Sequence, residues 1–180
     1  MLKKYDGFVK ESRKSEDYKF GCVLLQLEIP NWEKILSSIN KEDVYKIHDE
    51  SYSLQKFPHI TSLYGIHSDV KDSDVIEIIN KYKYKDFDIE ATGISSFSNK
   101  DFDVIKFGVK LNETLQGFHD ELSKLPNSDE FPTYIPHITI AYLQPGTAQK
   151  YIDPNYPLNL SIKAIRYSKT NGQKLFFSVY

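Results

Sequence analysis

The chain has 180 residues, 40% of them apolar and 14% aromatic, a net charge of −2 and a pI near 6.2. That length and apolar content suffice for one folded unit with a sizeable core, and the near-neutral charge excludes an overall basic field for long nucleic acid while leaving room for a small anionic ligand. Cys22 is the single cysteine, which excludes an internal disulfide and a cysteine-built metal cluster; lying in the apolar run "FGCVLLQLEI", it reads as an ordinary buried thiol.

In chain order, residues 1–17 are charged and poor in aliphatics and read as a loosely docked N-terminal arm. They lack the apolar stretch of a signal peptide, and no segment approaches the ~18 apolar residues of a membrane span, so a cytoplasmic location is expected. "YKFGCVLLQLEI" (Tyr18 to Ile29) predicts a buried strand, closed off by Pro30 and Asn31. In "WEKILSSI", Trp32, Ile35, Leu36 and Ile39 follow the i, i+3, i+4, i+7 template of a short amphipathic helix, with Trp32 as a core anchor. "HITSLYGI" predicts a second strand by its β-branched content, and "DSDVIEIINKYKYK" a second helix capped by Asp72 or Ser73. The lysines and tyrosines of "NKYKYK" read as its solvated end rather than a single-strand binding surface.

"FDIEATGISSFS" and "DVIKFGVKL" predict two strands joined around "NKD". "ETLQGFHDELSKL" places Leu115, Phe118, Leu122 and Leu125 on one face of a third helix, with His119 read as solvated. "HITIAYL" is a further strand, and "LSIKAIRYSK-TNGQ-KLFFSVY" closes the chain as two strands around a turn signal. The pattern predicts an α+β fold of two lobes related by an imperfect repeat, one compact unit over residues 1–180.

The tetrapeptide Pro-His-Ile-Thr occurs twice, at 58–61 and 136–139, and takes two of only five histidines, so chance is a poor explanation. Side chains alternate along a strand, so His59 and Thr61 share one face, as do His137 and Thr139. Each preceding proline removes a ladder donor, which suits the start of an edge or cleft strand. Two facing imidazoles permit concerted acid–base chemistry, one taking a proton from the nucleophile and the other giving one to the leaving oxygen. Threonine hydroxyls can donate to the phosphoryl oxygens where charge accumulates. This set serves phosphodiester cleavage without calling for a metal or cofactor. Zinc held by His59, His137 and a carboxylate is the competing arrangement, disfavoured because threonine is a poor ligand.

Paired His-x-Thr motifs, one per lobe, resemble the signature of the two-histidine phosphoesterases, the group of 2′,5′-RNA ligase-like proteins and cyclic phosphodiesterases. The resemblance runs from about Tyr18 to the C-terminus and rests on "PHIT-SLYG" and "PHIT-IAYL". It implies a bilobal fold with two pseudo-symmetric antiparallel sheets, helices outside and a central cleft. It also implies that His59 and His137 are the acid–base pair and that Thr61 and Thr139 hold the phosphate. The charged arm and "FGCVLLQLEIPNWEKI" look most like phage proteins that degrade cyclic oligonucleotide messengers of the bacterial defence CBASS, which would set the protein in a host cytoplasm.

Outside the motifs, His48, His67 and His119 stay out of the catalytic set, although His67 could reach the mouth of the first motif strand. Tyr64 and Tyr142 each lie five residues beyond a motif histidine; the odd spacing sends them to the opposite face, into the core rather than against substrate. Tyr5, Phe8 and Arg13 could make the arm a lid over a bound nucleotide. The expected activity is a metal-independent phosphodiesterase whose partner is a small cyclic di- or trinucleotide, with no long nucleic acid and no membrane. The rivals are an RNA-end enzyme acting on 2′,3′-cyclic phosphate or 2′–5′ linkages, and a module that sequesters nucleotides without cutting them.

Overall fold

The computed structural model describes residues 19–46 and 53–179. His48 and the arm residues Tyr5, Phe8 and Arg13 lie outside them. In order, the elements are β1 (Gly21–Glu28), α1 (Trp32–Ser37), β2 (His59–Ile66), α2 (Asp72–Tyr82), β3 (Ala91–Ser98), β4 (Asp103–Val109), α3 (Glu113–Leu122), β5 (His137–Leu143), β6 (Ser161–Ser168) and β7 (Lys174–Phe177). A short 3-10 turn at Ala148–Tyr151, which the pattern did not signal, comes after β5. No helix among the described residues is long and apolar enough to cross a membrane.

Every strand pairing is antiparallel, in a four-stranded sheet of order β2-β1-β6-β7 and a three-stranded sheet of order β3-β4-β5. The lobes are therefore not sequential halves: the C-terminal hairpin returns to pair with β1 and completes the first sheet. One continuous core joins both sheets to the helices, with Val23, Leu25, Ile60 and Leu63 from one sheet, Ile105, Phe107, Ile138 and Ile140 from the other, and Val75, Ile79, Leu115, Phe118 and Leu122 from α2 and α3. Cys22 is buried, as its apolar run indicates.

The helix ends differ from expectation for local reasons. α1 stops at Ser37, short of Ile39, because the Ser37 and Ser38 hydroxyls donate to Glu33 O and Ile35 O, each at 2.7 Å, and compete with the helix ladder. Trp32 is the buried anchor expected, its Nε1–H donating 2.8 Å to Gln55 O. α2 starts after Lys71 with no side-chain cap, so neither Asp72 nor Ser73 caps it. The Asp72 carboxylate instead accepts from Tyr167 Oη at 3.2 Å and from Lys169 Nζ at 2.6 Å, spending its charge on the first sheet. At the other end of α2, Lys85 and Lys83 lie over the rings of Tyr82 and Tyr84, 4.1 and 4.9 Å from their centroids. α3 has a side-chain cap, Asn112 Oδ1 accepting from Leu115 N at 2.9 Å.

Each motif strand ends its sheet, as a strand opened by proline should, and the two come into contact. Their outer edges are partly covered. The segment 127–128 bridges to β2 where Gly65, at φ +95°, leaves room; a Cβ there would lie 3.0 to 3.1 Å from the backbone of Ser128 and Asp129. Residues 44 and 54 bridge in the same way to Leu143 and Ala141 of β5.

Candidate active site

Both motif histidines are held alike. The Nδ1 of His59 lies 2.9 Å from Phe57 O, and that of His137 2.8 Å from Ile135 O. A carbonyl can only accept, so in the neutral ring Nδ1 carries the hydrogen and Nε2 is the basic nitrogen in each case. Prolines 58 and 136, standing between ring and carbonyl, keep the chain extended so that this two-residue reach closes. The rings are partly exposed, and so are Thr61 and Thr139.

Their surroundings set them apart. Burial pulls His137 down from 6.5 to about 4; the bond to Ile135 O works the other way, while the positive charges of Lys106 and His59 add to the downward pull. His137 is thus neutral across the physiological range, with an accepting Nε2.

A cavity of ≈ 170 Å³ opens beside the motifs, and Thr61 and His137 both line it. His59 and Thr139 are not on its wall; they lie on the same strand faces two residues away. Tyr64, Phe97, His119, Phe131 and Tyr134 give the cavity a largely aromatic lining, with no lysine or arginine among the described lining residues. Phe97 meets the His137 ring edge-on at 5.3 Å between centroids.

The placements of Tyr64, Tyr142, His119 and His67 depart, in whole or in part, from the sequence reading. The ladder from β1 to β2 pairs Leu24 with Thr61 and Val23 with Leu63, so Ser62 opposes nothing; the ladder from β4 to β5 pairs Lys106 with Thr139 and Ile105 with Ala141, skipping Ile140. Both strands therefore bulge at the third residue after histidine, and each bulge exchanges the two faces for the residues beyond it. Tyr64 consequently returns to the His59 face and lines the cavity, contrary to the core position expected for it. Tyr142 also returns to the histidine face, but is buried there against Phe102.

His119 is half-buried rather than on a solvated face. Its Nδ1–H donates 2.8 Å to Ser62 O, and its ring stacks on Tyr134 with centroids 4.3 Å apart and planes 2° from parallel. Tyr134 Oη donates 3.2 Å to Thr61 O. The pair grips two consecutive carbonyls around the bulge, and burial pushes the Tyr134 hydroxyl pKa up. His67 sits at the far end of β2, 2.8 Å from Ser128 Oγ, in a separate polar cavity shared with Asp72 and Lys169 rather than at the motif.

The residue missed by the sequence reading is Lys106, 7% exposed and directly opposite Thr139. A lysine between the apolar pairs of "VIKFGV" was the available signal. Among the described residues, no three His, Cys, Asp or Glu side chains gather as a metal-holding group.

Two antiparallel sheets, each ending in a His-x-Thr strand at a shared cleft, define the two-histidine phosphoesterase class. A family model described as the 2′-5′ RNA ligase superfamily matches residues 31–173, and the chain belongs to that superfamily, a family of phosphoesterase-type enzymes. Among solved structures, the chain resembles Usb1 of Kluyveromyces marxianus, determined with uridine monophosphate, at 10% identity over 89% of this chain and 98% of that one, with a TM-score of 0.54. It also resembles a crystal structure described as a phosphoesterase, at 13% identity over 92% and 97% of the two chains, with a TM-score of 0.44. At such identities the likeness concerns the fold. No curated relative matches the chain.

Proposed function

We propose that the protein is a metal-independent phosphodiesterase that opens cyclic di- or trinucleotides at a 3′–5′ linkage, with 2′–5′ linkages as a further substrate. The observation that supports it best is the pair of histidines with Nδ1 fixed on a carbonyl and Nε2 basic, on contacting end strands beside an aromatic cavity. His137, kept neutral, takes the proton from the attacking hydroxyl, either the neighbouring 2′-OH or a water. The P–O5′ bond breaks as the new O–P bond forms, and His59, protonated, gives its proton to O5′. Thr61 and Thr139 donate to the non-bridging oxygens as charge builds there.

The cavity wall supports the choice of substrate class. Proteins that track a long strand need a basic groove, whereas the described residues of this lining offer ring faces for a base and include no lysine or arginine. In a bacterial cytoplasm such an activity would remove the messengers of CBASS. A second reading, RNA ends carrying 2′,3′-cyclic phosphate or 2′–5′ linkages, draws on the superfamily's description and on the Usb1-like fold.

The test is incubation, with EDTA present, of the full chain with cyclic di- and trinucleotides and with RNA 2′,3′-cyclic phosphate ends, products being resolved by chromatography. Linearised cyclic nucleotides support the proposal. Turnover of RNA ends alone transfers the activity to the second reading, and tight binding with no product makes the protein a sequestering module. Activity lost to EDTA and restored by zinc overturns the metal-independent mechanism.

A further inference from the structure

We propose that Lys106 is a built-in counter-charge for the phosphoryl group, so that the His137–Thr139 half of the site binds a phosphate anion by itself. The inference rests on the phosphodiesterase reading of this site and names a group that the paired motifs do not contain.

Lys106 and Thr139 are direct cross-strand partners, as are Gly108 and His137, so Lys106 projects from the same face of the sheet as the motif. It is 7% exposed, and among the described residues no aspartate or glutamate forms an ion pair with it. Its Nζ donates 2.9 Å to Ser95 Oγ and lies 4.3 Å from the centroid of the Phe97 ring, the ring that abuts His137. An ammonium has three donors, and one hydroxyl with one ring face leaves part of that capacity and the whole of its charge without an anion. Buried cations are ordinarily paired, and an apolar residue of similar volume is usually the more stable occupant. The twin position in the other sheet shows that alternative: Leu24, fully buried, stands opposite Thr61. A chain that places leucine in one half and lysine in the other at equivalent ladder positions retains a cation at a cost in stability.

A phosphate entering between His137 and Thr139 supplies the absent charge. Ser95 and Phe97 fix the ammonium beforehand, which reduces the entropy lost when the anion arrives. The burial that lowers the Lys106 pKa is the same desolvation that strengthens its attraction for an anion. Binding is then asymmetric, the phosphate being drawn toward His137 and the leaving oxygen lying toward His59.

The experiment titrates inorganic phosphate into the full chain by calorimetry, for wild type, Lys106→Met, Lys106→Arg and the exposed-surface control Lys163→Met, and records melting without ligand. Wild type and Lys163→Met should bind phosphate alike. Lys106→Met should bind roughly 10- to 100-fold more weakly, the span of one charge-assisted hydrogen bond, and melt at the same or a higher temperature. Lys106→Arg should fall between. Equal binding by wild type and Lys106→Met, no binding by wild type, or a lower melting temperature with unchanged affinity would each overturn the proposal. If Lys106→Met does not fold, Lys106→Gln decides by the same affinity criterion. Phosphate bound through Lys106 by a protein that cleaves no phosphodiester would uphold this inference and overturn the activity instead.

Discussion

The motif strands β2 and β5 are alike in backbone and unlike in surroundings. Each opens with proline, ends its sheet, ties a histidine Nδ1 to the carbonyl two residues back and bulges at the third residue after that histidine. Yet Thr61 faces a leucine where Thr139 faces a lysine, and Tyr64 lines a cavity where Tyr142 is packed under Phe102. A repeated backbone delivers two interchangeable imidazoles; acid–base catalysis needs one to accept while the other donates. In the proposed mechanism the neighbours make that division, and substitutions can either erase the likeness or expose the difference.

The largest effect should come from removing the shared feature. His59→Ala and His137→Ala should each slow turnover by roughly 10²–10⁴-fold, the share of one general acid or base. The double variant should lose less than the product of the two, because the rings act as one unit. Steady-state rates on the cyclic nucleotide panel check this, and near-wild-type turnover by either single variant removes that histidine from the mechanism.

The threonines come next and should not be equal. Thr61→Val and Thr139→Val each withdraw one donor from a charged oxygen, costing about 1–3 kcal/mol in the transition state. Lys106 remains beside Thr139, whereas Leu24 can offer nothing beside Thr61. The loss in kcat should therefore be greater for Thr61→Val, and both Thr→Ser variants should keep more activity than the valines. Equal losses would mean that Lys106 gives no cover to its half of the site.

The tyrosines separate binding from stability. Tyr64→Ala should raise KM by roughly 10-fold, within the ~1–3 kcal/mol of one base–aromatic stack, with melting little changed. Tyr142→Ala empties a buried position and should lower the melting temperature while sparing KM. The reverse pattern would mean that the bulges do not direct these side chains as described.

Those tyrosines also mark where the sequence stopped being legible. The strands and helices were readable in order because alternation, helical stripes and turn residues are local signals. The repeat itself identified all four motif residues. Parity beyond Thr61 and Thr139 was not readable, since a bulge is visible only in the pairing with the neighbouring strand. His119 was half-visible: at the i+4 position from Leu115 it borders the buried stripe of Leu115, Phe118 and Leu122 and is itself half-buried, and its polarity drew it to solvent in the sequence reading. Asp72 reads as a cap from its own residues, but its partners, Tyr167 and Lys169, come from a hairpin about 95 positions away. Lys106 owes its significance to Thr139, Ser95 and Phe97, contributed by two other strands.

The smallest expected effect concerns pH. His137 is held down, to about 4, chiefly by burial, whereas an unfolded histidine titrates near 6.5. Between those values the unfolded chain takes up a proton at this position that the folded chain refuses. This contribution to stability is therefore fully present above about 6.5 and is lost as pH falls toward 4. The ring is partly exposed, so solvent screens part of the interaction and the change should be modest. The comparison to make is the melting temperature of wild type against His137→Gln, which cannot titrate, at pH 7 and at pH 5. Wild type should fall further than the variant over that interval, whereas the same pair of measurements for His59→Gln tests whether the other ring behaves alike. A wild type and a His137→Gln that lose stability in parallel would mean that His137 titrates as an ordinary imidazole, and its assignment as the accepting member of the pair would lose its physical basis.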